Sequence, residues 1–290
     1  MERLVNAQVV AAAVALIGVA VTMWCFSLKK SKRPVALSKS DKVSLTLIEK
    51  TIVSHDTRKF RFSLPSPEHI LGLPVGSFIN VTAVLDGKLV VRPYTPISSD
   101  DDVGYMDLMI KVYKDGKMSS YMDSLSVGDN IQVRGPCGKI RYLGKGEFET
   151  EKSKDNIAKL RCKRIGMIAG GSGITPMLQL IKDVVKHRND NTEMTLLFSN
   201  KTENDILCRG ALDEMSCPKF KVCHTLSQAP ISQDWCYATG RVNKAMIEQY
   251  LPPPGEDTVI LLCGPPGLVK ETCLPALKDL GYSPDSILVF

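Results

Sequence analysis

The chain is short of the residues that build metal and nucleophilic centres. Its 290 residues include only four histidines, His55, His69, His187 and His224, and no two stand at ligand spacing. That argues against a zinc site and against histidine acid–base catalysis, and no metal is expected. The nine cysteines are an odd number, form no Cys-x-x-Cys pair and are scattered through apolar runs. A disulfide scaffold does not fit, and a reducing cytosolic setting does. Aromatic residues make up 6% of the chain, and no basic stripe interleaves with them, so nucleic acid is not an expected partner. The dinucleotide fingerprint Gly-x-Gly-x-x-Gly, internal repeats and low-complexity tracts are also absent.

What remains is an ordinary globular composition, 44% hydrophobic and 23% charged, enough for one large domain or two modest ones. The formal charge of +6 fits a lysine-rich solvated surface or a basic face for an acidic partner.

Residues 4–28 carry no charge, and residues 9–26 are apolar except for Thr22. A run of that length spans a bilayer as a helix. Lys29, Lys30, Lys32 and Arg33 follow at once, which keeps this flank and the rest of the chain on the cytoplasmic side. Trp24 and Phe26 fall where an interfacial aromatic belt sits. A cleaved secretory signal fits less well, because the basic cluster follows the run instead of preceding it. A buried core helix would leave a run with no polar face for water. The sequence therefore predicts a transmembrane anchor over residues 1–28 and a basic tether over 29–40. The endoplasmic reticulum and the mitochondrial outer membrane suit such an anchor equally; the former is the expected location.

From residue 43 to 142 apolar and polar residues alternate, with turn signals at Asp86-Gly87, Asp115-Gly116 and Gly128-Asp129. Short strands at this spacing predict an antiparallel β-barrel over residues 41–148. The chain then turns polar and lysine-rich, and 149–163 reads as a linker. Beyond it short apolar runs alternate with helical ones, which predicts an α/β domain with a parallel sheet over 164–290.

Several clusters carry the chemistry. In Arg92-Pro93-Tyr94-Thr95-Pro96-Ile97-Ser98 the prolines fix an extended backbone, Tyr94 offers a ring face and Arg92 a phosphate fork; taken alone it also reads as a proline-rich turn. Ile110-Lys111-Val112-Tyr113 reads as a strand, and Gly116-Lys117-Met118-Ser119 as a helix start whose N–H groups suit phosphate. Gly170-Gly171-Ser172-Gly173-Ile174-Thr175-Pro176-Met177 stands between a strand and a helix, where glycine lets backbone approach a pyrophosphate. Asp205 follows the next strand; a carboxylate there hydrogen-bonds a ribose diol or simply caps a helix. Cys263-Gly264-Pro265-Pro266 ends a strand, and ligands of parallel sheets gather at such ends.

In this order and at this spacing the clusters resemble the NADH–cytochrome b5 reductase family of ferredoxin-reductase-like flavoenzymes, over residues 41–290. The resemblance implies FAD and NADH as cofactors. It implies that Tyr94 stacks on the flavin, that Arg92 and its neighbour Pro93 lie along the FAD pyrophosphate, and that Thr95 approaches flavin N5. Ile110, Lys111 and Tyr113 would line the flavin and nicotinamide side, and Gly116, Lys117, Met118 and Ser119 would hold the FAD phosphates. Gly170, Gly171, Ser172, Gly173, Thr175 and Pro176 would form the NADH turn, Asp205 would favour NADH over NADPH, and Cys263, Gly264 and Pro265 would border the nicotinamide. Phe290 would end near the flavin face. Thr95, Lys111 and Cys263 are the residues placed at the reacting atoms, with Cys263 orienting rather than attacking. The chain departs from the family pattern in the short Lys114-Asp115 link, in Ser172 where threonine is common, and in Gly267-Leu268 after the prolines.

The implied activity is hydride transfer from NADH to FAD, followed by release of single electrons to cytochrome b5, by a monomer. Lys117 and Lys163 are candidates for the cytochrome docking patch. A membrane-bound NADH diaphorase with a quinone or ferric acceptor, or a non-catalytic nucleotide-binding protein, remains an alternative.

Overall fold

Arg92, Pro93 and Tyr94 lie on the outermost strand of a six-stranded antiparallel sheet. Its strands are β1 (Val43–Ser54), β2 (Thr57–Ser63), β3 (Phe78–Leu85), β4 (Lys88–Tyr94), β5 (Tyr105–Lys111) and β6 (Asn130–Cys137), in the order β4-β3-β6-β1-β2-β5. The computed structural model describes residues 33–153, 156–230 and 232–290. The predicted membrane anchor and the start of the tether lie outside the described residues. Among the described residues no helix is long and apolar enough to cross a membrane.

The period-two pattern works as expected: Leu45 and Leu47 on β1, and Phe60 and Phe62 on β2, face one core, while Arg61 between the phenylalanines faces out. Helix α1 (Lys117–Ser124) adds Met118 and Met122 to that core. The expected barrel is not closed by strand pairing. The end strands β4 and β5 are not paired; instead the segment after β4 crosses to β5, where Ile97 N–H donates to Asp107 O at 2.9 Å and Asp107 N–H to Ser98 Oγ at 3.0 Å. Pro93 suits an edge strand, which can spare a ladder donor.

The expected linker over 149–163 is mostly strand. β7 (Ile140–Gly144), β8 (Glu147–Ser153) and β9 (Asn156–Arg161) form a small antiparallel sheet. Phe148 and Thr150 point inward while charged residues line the other face, so a high lysine and glutamate content conceals two strands. Phe148 packs on Tyr142 with ring centroids 5.0 Å apart. The Tyr142 hydroxyl donates to Asp190 Oδ2 at 2.6 Å, which ties this sheet to the second half.

The second half is a parallel sheet of β10 (Arg164–Gly170), β11 (Glu193–Asn200), β12 (Phe220–Leu226), β13 (Ala238–Thr239), β14 (Thr258–Cys263) and β15 (Ile287–Val289), in the order β13-β12-β11-β10-β14-β15. The helices are α2 (Ile174–Lys186), α3 (Arg209–Glu214), α4 (Lys244–Tyr250) and α5 (Leu274–Asp279), the last preceded by a π-helical turn over Gly267–Cys273. Both faces are buried: Ile165, Met167 and Ala169 face one core, and Ile168 faces the other. β10 is flanked by β11 on one side and β14 on the other, so strand order reverses there and opens a crevice at the carboxyl ends of β10 and β14.

Candidate functional site

The glycine turn and the Cys263 cluster meet at that crevice. Ala169 pairs with Cys263, so Gly170 and Gly264 leave the sheet side by side. A Cβ on Gly173 would meet the Cys263 carbonyl oxygen closer than contact allows, and one on Gly170 would meet the Leu268 side chain. Glycine is required at 173 by this approach of two backbones. Gly171–Gly173 forms a 3₁₀ turn that leads directly into α2. Thr175 Oγ1 donates back to Ser172 O at 3.2 Å, and Pro176 is buried; both shape the turn, leaving backbone N–H groups and Ser172 to face the crevice.

The antiparallel sheet brings its own cluster to the same place. The end of β5, which carries Lys111, lies against the Gly171–Gly173 turn. Ile97, Cys263 and Phe290 border one apolar cluster that includes Met109 of β5. Phe290 N–H donates to Leu262 O at 3.0 Å, which fixes the last residue beside the strand ending in Cys263. The cysteine sits in an apolar setting, and burial pushes its thiol up to about 11. It stays a neutral thiol, as an orienting role requires and a nucleophile does not.

Tyr94 is half-buried, and burial pushes its phenol up to about 12, so it presents a neutral ring. Arg92 is exposed, and its Nη1 donates to Val91 O at 2.9 Å, which leaves most of the guanidinium fork open. Helix α1 lies against β4. Of the residues expected to hold phosphate there, Gly116 and Lys117 fit, while Met118 and Ser119 contribute only backbone. Met118 is 2% exposed in the core, and the Ser119 hydroxyl already donates to Gly116 O at 3.0 Å and accepts from Tyr113 N–H at 3.1 Å. The N–H groups of residues 117–119 have no carbonyl four residues back within the helix and are free for an anion. Ile110 likewise faces the core, at 2% exposure, and offers the crevice no side chain. Tyr113 is exposed beyond the end of β5.

Two expectations change. Asp205 does not point out of the sheet edge. Its Oδ2 closes a capping box, accepting from Thr202 N–H at 2.9 Å and Thr202 Oγ1 at 2.8 Å, and its Oδ1 turns toward Lys111 and His55. The residue is 7% exposed, so neither oxygen is presented to a ribose. Lys163 precedes β10 at its amino end, roughly 23 Å along the strand from Gly170, because a strand rises about 3.3 Å per residue. It therefore stands away from the crevice, not at the flavin edge. Lys117 does lie at the start of α1, where it pairs with Asp86 at 3.1 Å.

The structure also adds residues that the sequence did not single out. Gln179 on α2 accepts from Gly76 N–H at 2.7 Å and donates to Ser77 O at 3.5 Å; Lys182, one turn on, donates to Ile97 O at 2.7 Å. The helix that begins at the glycine turn thus grips the antiparallel half beside the Thr95-Pro96-Ile97 segment. His55 and Asp56, at the tip of the β1–β2 hairpin, flank Lys111. Only the helical period of α2 hinted at the first pair, and nothing local marked the second.

Comparisons with known proteins agree with this division. The oxidoreductase FAD-binding domain model matches residues 44–142, and the oxidoreductase NAD-binding domain model matches residues 167–274. NADH-cytochrome b5 reductase 3 of Rattus norvegicus is 48% identical over 276 residues, 90% of this chain and 91% of the relative. NADH-cytochrome b5 reductase 1 of Homo sapiens is 47% identical over 285 residues, 93% of this chain and 92% of the relative. Among solved structures, the cytochrome b5 reductase domain of Ulva prolifera nitrate reductase superposes with a TM-score of 0.81 at 34% identity, covering 89% of this chain and all of that one. The fold is ferredoxin-reductase-like, with an antiparallel-sheet FAD domain and a parallel-sheet NAD domain. Two domain models in series, relatives matched along nearly their whole length, and a crevice built where the two domains meet lead to one conclusion: this chain belongs to the NADH–cytochrome b5 reductase family.

Proposed function

We propose that this chain is an NADH-dependent flavoenzyme that takes a hydride from NADH onto FAD and passes the electrons singly to cytochrome b5. The observation that carries this reading is the convergence of the β5 end, the Gly171–Gly173 turn and Cys263 on one crevice. The residues fit both cofactors. The open Arg92 fork and the free N–H groups at the start of α1 suit the FAD diphosphate; the half-buried, neutral Tyr94 suits a flat ring. The close-packed turn at Gly173 admits the NADH diphosphate to the N-terminus of α2. FAD, when bound, supplies the conversion of a two-electron donor into one-electron steps.

The side chains orient and exclude water; none has to accept a proton in the hydride step. Thr95 and Lys111 border the reacting atoms on the sheet side, and Cys263 fills the opposite wall as an uncharged, close-packing group. The apolar cluster behind Cys263 and Phe290 keeps water from that wall. Lys117 is the remaining candidate for guiding cytochrome b5. A reduction rate that ignores ionic strength would remove it.

Residues 1–28 are proposed to anchor the enzyme to a membrane, with the catalytic part in the cytoplasm, and the length of the apolar run and the basic flank support this; the endoplasmic reticulum is the proposed membrane, with the mitochondrial outer membrane as the alternative. The enzyme is read as a monomer.

The test is an absorption spectrum of the full chain in detergent, before and after anaerobic NADH. A flavin spectrum bleached by NADH, followed by reoxidation with cytochrome b5, is the expected result. A protein that stays colourless with added FAD refutes the reading. Flavin that NADH bleaches but cytochrome b5 cannot reoxidise favours the quinone or ferric acceptor.

A further inference from the structure

The ammonium of Lys111 lies between carboxylates from both halves of the molecule. Its Nζ is 2.7 Å from Asp56 Oδ2 and 3.8 Å from Asp205 Oδ1. Asp56 is fixed in place: its Oδ1 accepts from Thr57 Oγ1 at 3.0 Å and Ser54 Oγ at 3.2 Å, and its backbone carbonyl accepts from Val112 N–H at 2.6 Å. Burial works to raise the Asp56 carboxyl, yet the contacts with Lys111, Thr57 and His55, Lys111 first among them, together lower it. Asp205 belongs to the parallel-sheet half. Its Oδ1 is buried and has no hydrogen-bond donor among the described protein atoms. An anionic oxygen buried without a donor is costly unless a cation faces it, and Lys111 is that cation. His55 Nε2 stands 3.4 Å from Asp56 Oδ2 and 4.0 Å from Asp205 Oδ1, on the exposed side of the group. The spacing of these three residues would suit a divalent ion, but the Lys111 ammonium already occupies the position between the two carboxylates.

We propose that Asp56 and Asp205 are positioning residues for Lys111: one from each half, they hold its ammonium at the boundary beside the Gly171–Gly173 turn, so that it meets the nicotinamide of NADH in a single orientation. This rests on the reading of Lys111 as a residue of the nicotinamide side. Two carboxylates outnumber one ammonium, so this lysine does not serve to collect phosphate charge. Its loss of position acts on the geometry of hydride transfer, where a displacement of an ångström is felt, and far less on capture of NADH.

The test is a double-mutant cycle in the full-chain holoenzyme, with flavin reduction by NADH followed in stopped flow. Asp205→Asn keeps an oxygen for the Thr202 capping bonds and replaces the anionic oxygen facing Lys111 with an uncharged amide NH2. Asp56→Asn is expected to slow the limiting rate about tenfold and Asp205→Asn about threefold, with KM for NADH within about twofold of the parent. In a Lys111→Met background neither substitution should slow it further. A second readout needs no turnover: amide exchange over Glu203–Asp205, in oxidised enzyme without NADH, should quicken when Lys111 becomes Met. Additive losses in the double variants, or exchange indifferent to Lys111, would overturn the positioning role while leaving Lys111 at the nicotinamide. A Lys111→Met enzyme reduced at the parental rate would overturn the placement of Lys111, and the proposal with it.

Discussion

Single residues show how much a sequence hides about burial. His224 was one of four scattered histidines with no ligand spacing; in the structure it is 0% exposed on β12. Its ring lies 5.0 Å from that of Tyr237 and 5.9 Å from that of Phe198, and neither nitrogen has a partner among the described protein atoms. Burial, with Arg209 adding to it, lowers its pKa to about 4. The unfolded chain binds this proton below about 6.5 and the folded chain only below about 4, so stability falls as pH drops through that window, by about 3 kcal/mol in all. His224→Phe should raise the thermal midpoint at pH 5 and flatten its acid limb; an unchanged limb would assign acid sensitivity elsewhere. Gly173→Ala is a second prediction at this scale. The added methyl meets backbone, which cannot swing aside, so binding of NAD⁺ measured calorimetrically should weaken at least tenfold, or the fold should lose stability. The glycine pattern was legible as a close approach of backbone. That the approaching partner is the Cys263 carbonyl was not, because β10 and β14 are far apart in sequence.

Elements were read well where one face is apolar and the other polar. Alternation over residues 78–85 and short apolar runs over 220–226 and 258–263 predict strands where β3, β12 and β14 lie, and helical periods over 176–186 and 243–250 predict helices where α2 and α4 lie. β4 was missed as a strand because most of its side chains are exposed, and β8 and β9 because charged residues dominate their outward faces. For β8 the alternation of Phe148 and Thr150 with glutamates was present but outweighed by composition. Helix α2 carries more than its length suggested, since its Gln179 amide satisfies Gly76 N–H from the other half. Gln179→Leu leaves that buried donor without an acceptor and should cost about 1–3 kcal/mol in urea unfolding. A loss below 0.5 kcal/mol (about a third of one tenfold step) would mean that water takes the place of the amide.

At the scale of the molecule the sequence revealed two halves and their order, but not the joint. Alternation and period report which residues face a core; they say nothing of which surface meets which. Of the residues that span the boundary, Gln179, Lys182 and Asp56 are ordinary polar residues in the sequence and Asp205 stands out only as a ribose contact or a helix cap; their place at the joint appears only when distant segments are brought together. Val35–Phe290 forms one unit with its own apolar cores. Removing residues 1–33 is therefore expected to abolish flotation of the protein with lipid vesicles and to leave NADH-dependent flavin reduction within about twofold, as burial of the catalytic part owes nothing to a bilayer. Flotation that survives the truncation would place the membrane contact elsewhere on the chain.

The groups that Gln179 and Lys182 reach across the boundary are all main-chain atoms: Gly76 N–H, Ser77 O and Ile97 O. Substitution cannot remove a carbonyl or, proline aside, an amide. Apart from Gly76, whose positive φ and closeness to the Ile140 carbonyl call for glycine, the loops on that side are thus freer to diverge than the helix side: one bank of the joint tolerates drift, and the other bears the selection.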